Sequence, residues 1–253
     1  MEETNFFISI SGYMPLIIKG LLITIKLTLI AGGMGFCIAV PMVVLSLYSY
    51  KPVKWAISAI ILVIKGTPLL VQLFFIYYGV PSIDIDGLIS NLHLNWFFTD
   101  ILGWMTIPDR IRVTPIGAAL AGFIINSACY QADYIRGGFY AISRTQMEAA
   151  YSIGLSKWGA VRTIMVPQAI RFSIPALSNE IVYLLQYTSV AGIIQLKEFY
   201  SSFQDFYHAT YYFVPSFIIM SIVYLSLIFV VTKLFESVDK LMRIPGTSGS
   251  PIS

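Results

Sequence analysis

Charged side chains are scarce in this sequence. Asp, Glu, Lys and Arg make up 11% of its 253 residues, against roughly a quarter in soluble domains. So little polar surface cannot clothe a water-soluble fold, which removes the one or two soluble domains that the length alone would suggest. Histidine is nearly absent: His93 and His208 stand far apart, both in segments read as external loops. That leaves no zinc-binding helix and no Ser–His pair. Cys37 and Cys129 both fall in apolar runs and read as free thiols acting as small hydrophobes, without a disulfide framework or metal spacing. No Lys or Arg precedes Lys19, so the basic start of a secretory signal is missing and the first apolar stretch reads as a retained span. The formal net charge of +3 is too small to argue for a nucleic-acid partner.

What the chain has in excess is apolar surface. Hydrophobic residues reach 57% and the mean hydropathy is +0.77, which defines an all-α integral membrane protein. Five transmembrane helices are predicted, at about 16–47, 53–80, 113–134, 172–196 and 211–235, in a single transmembrane domain covering 1–253. The first holds Gly20, Gly32, Gly33, Gly35 and Pro41, small or kinking residues suited to close packing in lipid. Lys19 can snorkel outward, whereas Lys26 lies deeper and is expected to face protein or water. In the second span Pro68 removes a backbone donor, so the helix should kink or break there and free carbonyls near Lys65. The polar loop from Pro81 to about Arg112, with Asp84, Asp86, Asp100, Pro108, Asp109, Trp96 and Trp104, reads as an interfacial aromatic belt. A short loop with Lys197, Glu198 and Asp205 precedes the last span.

The loop cations are unevenly divided. Lys51, Lys54, Arg136, Arg144, Lys157, Arg162, Arg171, Lys233, Lys240 and Arg243 gather on one side, and only Arg110, Arg112 and Lys197 on the other. The positive-inside rule then puts the N-terminus outside and the C-terminus, with the 136–171 segment, in the cytoplasm.

That segment carries the densest local signals. Glu148-Ala149-Ala150 reads as the first turn of a short helix, with the carboxylate near the positive end of its dipole. Gly154 supplies the turn that ends it, Ser156 caps a second short helix, and Pro167 is expected to stop that one. The predicted product is a helix–turn–helix knuckle, too charged for lipid. Ala149, Ala150, Leu155 and Trp158 give it small and apolar contact surface. Gly154 and Gly159 have the offset of a P-loop, yet Ala160 stands where lysine must be, so no phosphate cradle forms.

The knuckle resembles a known motif. Glu148, Ala149, Ala150, Gly154, Ile164 and Pro167 match the EAA loop of ATP-binding-cassette importer permeases, with Val166 where leucine is usual. Lys65-Gly66-Thr67-Pro68-Leu69-Leu70-Val71-Gln72, followed by Phe74 to Gly79, resembles the RGTPLLVQ segment of the polar amino-acid branch, with lysine for arginine. Asn126 to Gln146 is similar to that branch's run into the loop, with Asp133 for the common glutamate and Ser143 and Thr145 for proline and glycine. Gln186-Tyr187-Thr188-Ser189 replaces its Lys-Asp-Thr-Ser. The resemblance covers about Leu16 to Arg243 and implies the type I importer (MetI-like) permease fold of the inner membrane. It also implies cytoplasmic ATPase subunits docking on the knuckle, a second permease subunit, the same or different, and a periplasmic or lipid-anchored substrate-binding protein. ATP would be bound by the partner, and the chain itself would need no cofactor and no metal.

The candidate translocation path comprises Lys65, Thr67, Pro68, Gln72, Asn126, Tyr130, Glu180, Gln186 and Thr188. Several have a structural alternative beside them: Lys65 snorkelling or pairing with a carbonyl freed by Pro68, Glu180 pairing with Arg171 or Lys157, and Asn126, Gln186 and Thr188 acting as interhelical glue. Tyr130 and Asp133 equally suit orienting the knuckle. An ion-coupled secondary transporter would show an inverted repeat, and five spans do not divide evenly. A membrane-embedded enzyme would need converging catalytic groups, which the two distant histidines do not provide.

Overall fold

The computed structural model describes residues 6–82, 113–143 and 145–242. The aromatic belt around Trp96 and Trp104 with its aspartates, Pro108 and arginines, His93, Arg144 and Arg243 lie outside the described residues. Helix α1 runs Phe6–Tyr48 without interruption, passing through both Pro15 and Pro41. It therefore starts about ten residues before the expected span, because its first turns have their own apolar partner, described below. Lys19 and Lys26 are both exposed on its surface, so Lys26 is not packed inside this chain.

Helices α2 (Lys51–Gly66) and α3 (Leu69–Phe74) are bent by 103° at the Thr67-Pro68 break, as the proline predicts. Beyond α3 the chain continues through a wide turn at Phe75–Gly79 and a short 3₁₀ turn at Val80–Ser82. Helix α4 (Pro115–Tyr140) is the central post, packed against α1, α2 and α3 and against the long helix that follows the knuckle. It outruns the expected span and carries Arg136 within the helix. The knuckle contains α5 (Thr145–Ser152) and α6 (Lys157–Ala160). Then follow α7 (Val166–Tyr187), 3₁₀ turns at Thr188–Ile194, α8 (Phe199–Thr210) and α9 (Phe213–Met242).

Among the described residues, α1 and α9 alone are long and apolar enough to qualify as spans, and the bent α2–α3 pair would make a third. Helices α4 and α7 fall short in apolarity and not in length: at 26 and 22 residues they exceed the roughly 20 needed to cross a bilayer. Their polar residues, Asn126, Ser127, Gln131, Ser173, Ser178 and Glu180, are buried in the bundle, where intramembrane polar groups belong.

Close backbone approach makes this packing possible. A Cβ on Gly35 of α1 would stand 2.9 Å from Gln131 Nε2 and 3.2 Å from the Ala128 nitrogen of α4. A Cβ on Gly138 would collide with the Ala169 carbonyl oxygen of α7. Gly33, by contrast, faces open space.

Two expectations are corrected here. The segment read as a loop around Glu198 holds the amphipathic helix α8, whose Phe199, Phe203, Phe206 and Tyr207 are buried against Ile10 and Ile17 of α1 and Met220 of α9. Glu198 caps it, accepting from the Tyr200 nitrogen at 2.8 Å and the Ser201 nitrogen at 2.7 Å. Pro167 does not end a helix. A wide turn at Val161–Met165, closed by the Val166 nitrogen donating to the Val161 carbonyl, joins α6 to α7. The widened turn gives the proline ring room where a regular turn would press it on the carbonyl four residues back.

Candidate coupling surface and translocation cavity

The knuckle folds as its residues dictate. Gly154 adopts φ +83°, the left-handed conformation that glycine tolerates best. Its nitrogen donates to the Tyr151 carbonyl at 2.9 Å and the Leu155 nitrogen to the Ala150 carbonyl at 3.0 Å, the paired closure of a Schellman C-cap. Ser156 Oγ accepts from the Gly159 nitrogen at 3.2 Å and opens α6. Lys157 Nζ donates to the Tyr48 carbonyl at 2.9 Å, and Lys54 Nζ to the Leu47 carbonyl, so two cations sit on the C-terminal end of α1.

The expected contact residues divide into two sets. Glu148, Ala149 and Trp158 are exposed, as is Pro167 further along, while Leu155 and Ile164 are half-buried. Ala150 is buried beneath the turn, so it anchors the knuckle instead of presenting surface. The sequence reading missed Tyr151 and Ile153. They are 48% and 75% exposed, and like Trp158 they present apolar side chains on the knuckle. Exposed apolar side chains on an otherwise polar segment suit contact with another protein. The signal was present as two apolar residues just ahead of Gly154.

The second feature lies at the Thr67-Pro68 break. Here a cavity of about 350 Å³ is lined by Lys65, Gly66, Thr67, Pro68, Leu69, Asn126, Tyr130 and Tyr187. The carbonyls freed by the proline are satisfied by Gln72, whose Nε2 donates to the Ile64 oxygen at 2.7 Å and the Thr67 oxygen at 3.0 Å. Gln72 Oε1 in turn accepts from Asn126 Nδ2 at 3.1 Å, which ties the break to α4.

Lys65 therefore does not serve those carbonyls. It pairs with Asp133 of α4 and lies 5.0 Å from the centre of the Tyr130 ring. Asp133 also faces Arg136 Nη1 at 3.6 Å, and Arg136 Nη2 donates to Ser46 Oγ of α1 at 3.5 Å.

Of the expected path residues, the structure brings Lys65, Thr67, Pro68, Asn126 and Tyr130 together around this cavity, with Gln72 as their brace. Glu180 is only 5% exposed and sits beside Ser127, within electrostatic reach of Lys65, so its expected pairing with Arg171 or Lys157 is not what forms. Thr188 is fully buried and donates to the Leu185 carbonyl at 2.7 Å, a structural role. Gln186 is exposed but does not line the cavity. Tyr187 does, and sequence reasoning had noted it only as a departure from a familiar run.

A bundle with a broken, internally braced segment and a capped helix–turn–helix between two of its helices suits a transport permease. Residues 33–244 match the family described as binding-protein-dependent transport system inner membrane component, and the chain belongs to that family. The nopaline transport system permease protein NocM of Agrobacterium fabrum (strain C58) is 32% identical over 220 residues, covering 87% of this chain and 85% of that protein. The glutamate/aspartate import permease protein GltK of Escherichia coli O6:H1 is 30% identical over 192 residues, 76% of this chain and 78% of that one. Among solved structures, an amino acid ABC transporter crystallised with histidines matches with a TM-score of 0.74 at 29% identity, covering 94% of this chain and 99% of that one. The inward-facing MetNI methionine ABC transporter shares the fold, with a TM-score of 0.71 at 17% identity. The MetI-like, all-α permease fold implied by the motifs is thereby established.

Proposed function

We propose that the chain is the membrane-spanning subunit of an ATP-driven importer that translocates a polar amino acid. An external binding protein, periplasmic or lipid-anchored, would deliver the cargo. The subunit works as one of a pair, same or different, over two cytoplasmic ATPase subunits that hold the ATP. Its N-terminus faces outward and its C-terminus and knuckle face the cytoplasm.

The observation that carries this reading is the exposure of Tyr151, Ile153 and Trp158 on either side of the turn closed by Gly154. A rigid apolar knob outside the bilayer suits docking into a groove on a partner. Helix α6 continues through the wide turn into α7, so displacement of the knuckle moves a bundle helix directly. ATP-driven approach of the two ATPases would rock α7 and the hinged α2–α3 pair between inward and outward openings, which is alternating access.

The test is co-purification in gentle detergent from the native host. The tagged wild-type chain is expected to bring down a nucleotide-binding subunit in stoichiometric amount, and Gly154→Trp is expected to lose it while remaining in the membrane. Absence of any ATPase with the wild type would overturn the docking role.

A further inference from the structure

The cavity at the α2–α3 break is chemically one-sided. Among the described residues that line it, Lys65 alone is a basic or acidic one, and the rings of Tyr130 and Tyr187 contribute the aromatic wall. We propose that this cavity receives the cargo's carboxylate on the Lys65 ammonium, between Tyr130 and Tyr187, and so passes neutral or acidic amino acids in preference to cationic ones. The proposal deepens the importer reading above and rests on it.

Lys65 is built to accept a second anion. An ammonium carries three donors, and Asp133 takes one of them. The Lys65 and Asp133 side chains remain 29% and 31% exposed, so water reaches the pair and a ligand carboxylate can too. A partly exposed ion pair is screened and weakly held, which makes exchange of one carboxylate for another inexpensive. Asp133 is not orphaned by the exchange, because Arg136 Nη1 already stands 3.6 Å from its other oxygen.

The cargo's ammonium finds acceptors of a different kind. Asn126 commits an amide hydrogen to Gln72, and its own carbonyl oxygen is an acceptor in the cavity wall. The tyrosine faces attract cations weakly. A second positive charge, on the cargo's side chain, meets no lining carboxylate. Asp133 lies outside the lining and keeps Arg136 beside it after the exchange, and Glu180 is 5% exposed and also lies outside the lining. The volume of about 350 Å³ falls in the range of small-molecule sites.

The experiment uses the purified permease–ATPase complex without its binding protein, so that selectivity read from the membrane cavity is not imposed upstream. Retention of radiolabelled L-glutamine, L-glutamate, L-arginine and L-glutaminamide, in which a carboxamide replaces the carboxylate, is measured at equilibrium. Glutamine and glutamate are expected to bind about tenfold tighter than glutaminamide, the size of one charge-assisted hydrogen bond, and arginine is expected to bind more weakly than glutamine because its side-chain cation meets no lining carboxylate. Lys65→Gln is expected to abolish the glutamine-to-glutaminamide ratio, and Lys65→Arg to keep it. Tyr187→Asp, which places an acid in the wall, is expected to raise arginine binding. A gain of that kind cannot come from misfolding, so it decides the matter even if the lysine variants fail to assemble. Arginine held as tightly as glutamine by the wild type would overturn the proposal, as would an unchanged ratio in Lys65→Gln or no retention of any probe. ATP-driven uptake by the same complex in proteoliposomes separates the two readings. Uptake that favours arginine sinks the cavity assignment and keeps the importer, whereas no ATP-driven uptake of any amino acid even after the binding protein is added outside sinks the importer.

Discussion

At the scale of single residues, adjacent glycines give opposite expectations. Gly138 has no room for a Cβ against the Ala169 carbonyl, while a Cβ on Gly137 meets nothing within 4 Å. Gly138→Ala is expected to force α4 and α7 apart, with a cost of about 1–3 kcal/mol from overpacking, and to lower the melting temperature of the detergent-solubilised chain. Gly137→Ala should leave it unchanged or slightly raised. Gln72 gives a second prediction. Its replacement by Leu leaves the Ile64 and Thr67 carbonyls without their amide donor, at about 1–3 kcal/mol for buried acceptors and less where water enters. Transport should fall with ATPase association intact, measured as uptake against co-purification. The sequence displayed Pro68 and Gln72 but not their relation. A side chain four residues past a proline becomes a cap only once the chain bends by 103°, and no linear spacing states a bend. Lys65 shows the same limit: its partner Asp133 is 68 residues away, a contact only packing creates.

At the scale of elements, the knuckle was legible because its signals are local. Gly154 ends one helix and Ser156 starts the next through hydrogen bonds no more than five residues long. Pro167 misled because the widened Val161–Met165 turn, which lets the helix run on, has no composition of its own. Helix α8 was hidden for another reason. Its apolar residues recur at Phe199, Phe203, Phe206 and Tyr207, a helical spacing, but Ser, Gln, Asp and His between them dilute its hydropathy. Two predictions belong here. Gly154→Ala keeps the chain in the membrane but strains the left-handed turn by about 1–2 kcal/mol, so a several-fold weaker association with the ATPase is expected in titrations of the purified subunits. Glu198→Ala removes the acceptor for the Tyr200 and Ser201 nitrogens. It should expose Phe199–Thr210 to faster amide hydrogen exchange while the knuckle is unaffected, since loss of such a cap costs about 1 kcal/mol locally.

At the scale of the whole molecule, the bundle explains why composition alone identified a membrane protein while an apolarity criterion recovers only some of its spans. Helices α1 and α9 keep exposed apolar side chains along their length, and Phe217, Leu225 and Phe229 of α9 are among them. Helices α4 and α7 are less apolar because their polar groups are buried in the bundle, where Asn126 meets Gln72 of α3, Gln131 the Gly32 carbonyl of α1 and Ser173 the Tyr134 carbonyl of α4. The proposed orientation predicts that green fluorescent protein fused after Ser253 fluoresces, as it does on the cytoplasmic side, whereas a periplasmic alkaline phosphatase fused there stays inactive. The central claim is that ATP hydrolysis, passed through the knuckle, drives amino-acid import. Its most direct measurement is uptake into proteoliposomes holding the permease–ATPase complex, with binding protein added outside and ATP enclosed. Uptake that requires enclosed ATP, stops with vanadate and persists when ionophores collapse all ion gradients is the predicted result. Uptake that continues without ATP and disappears with the ion gradients would contradict it.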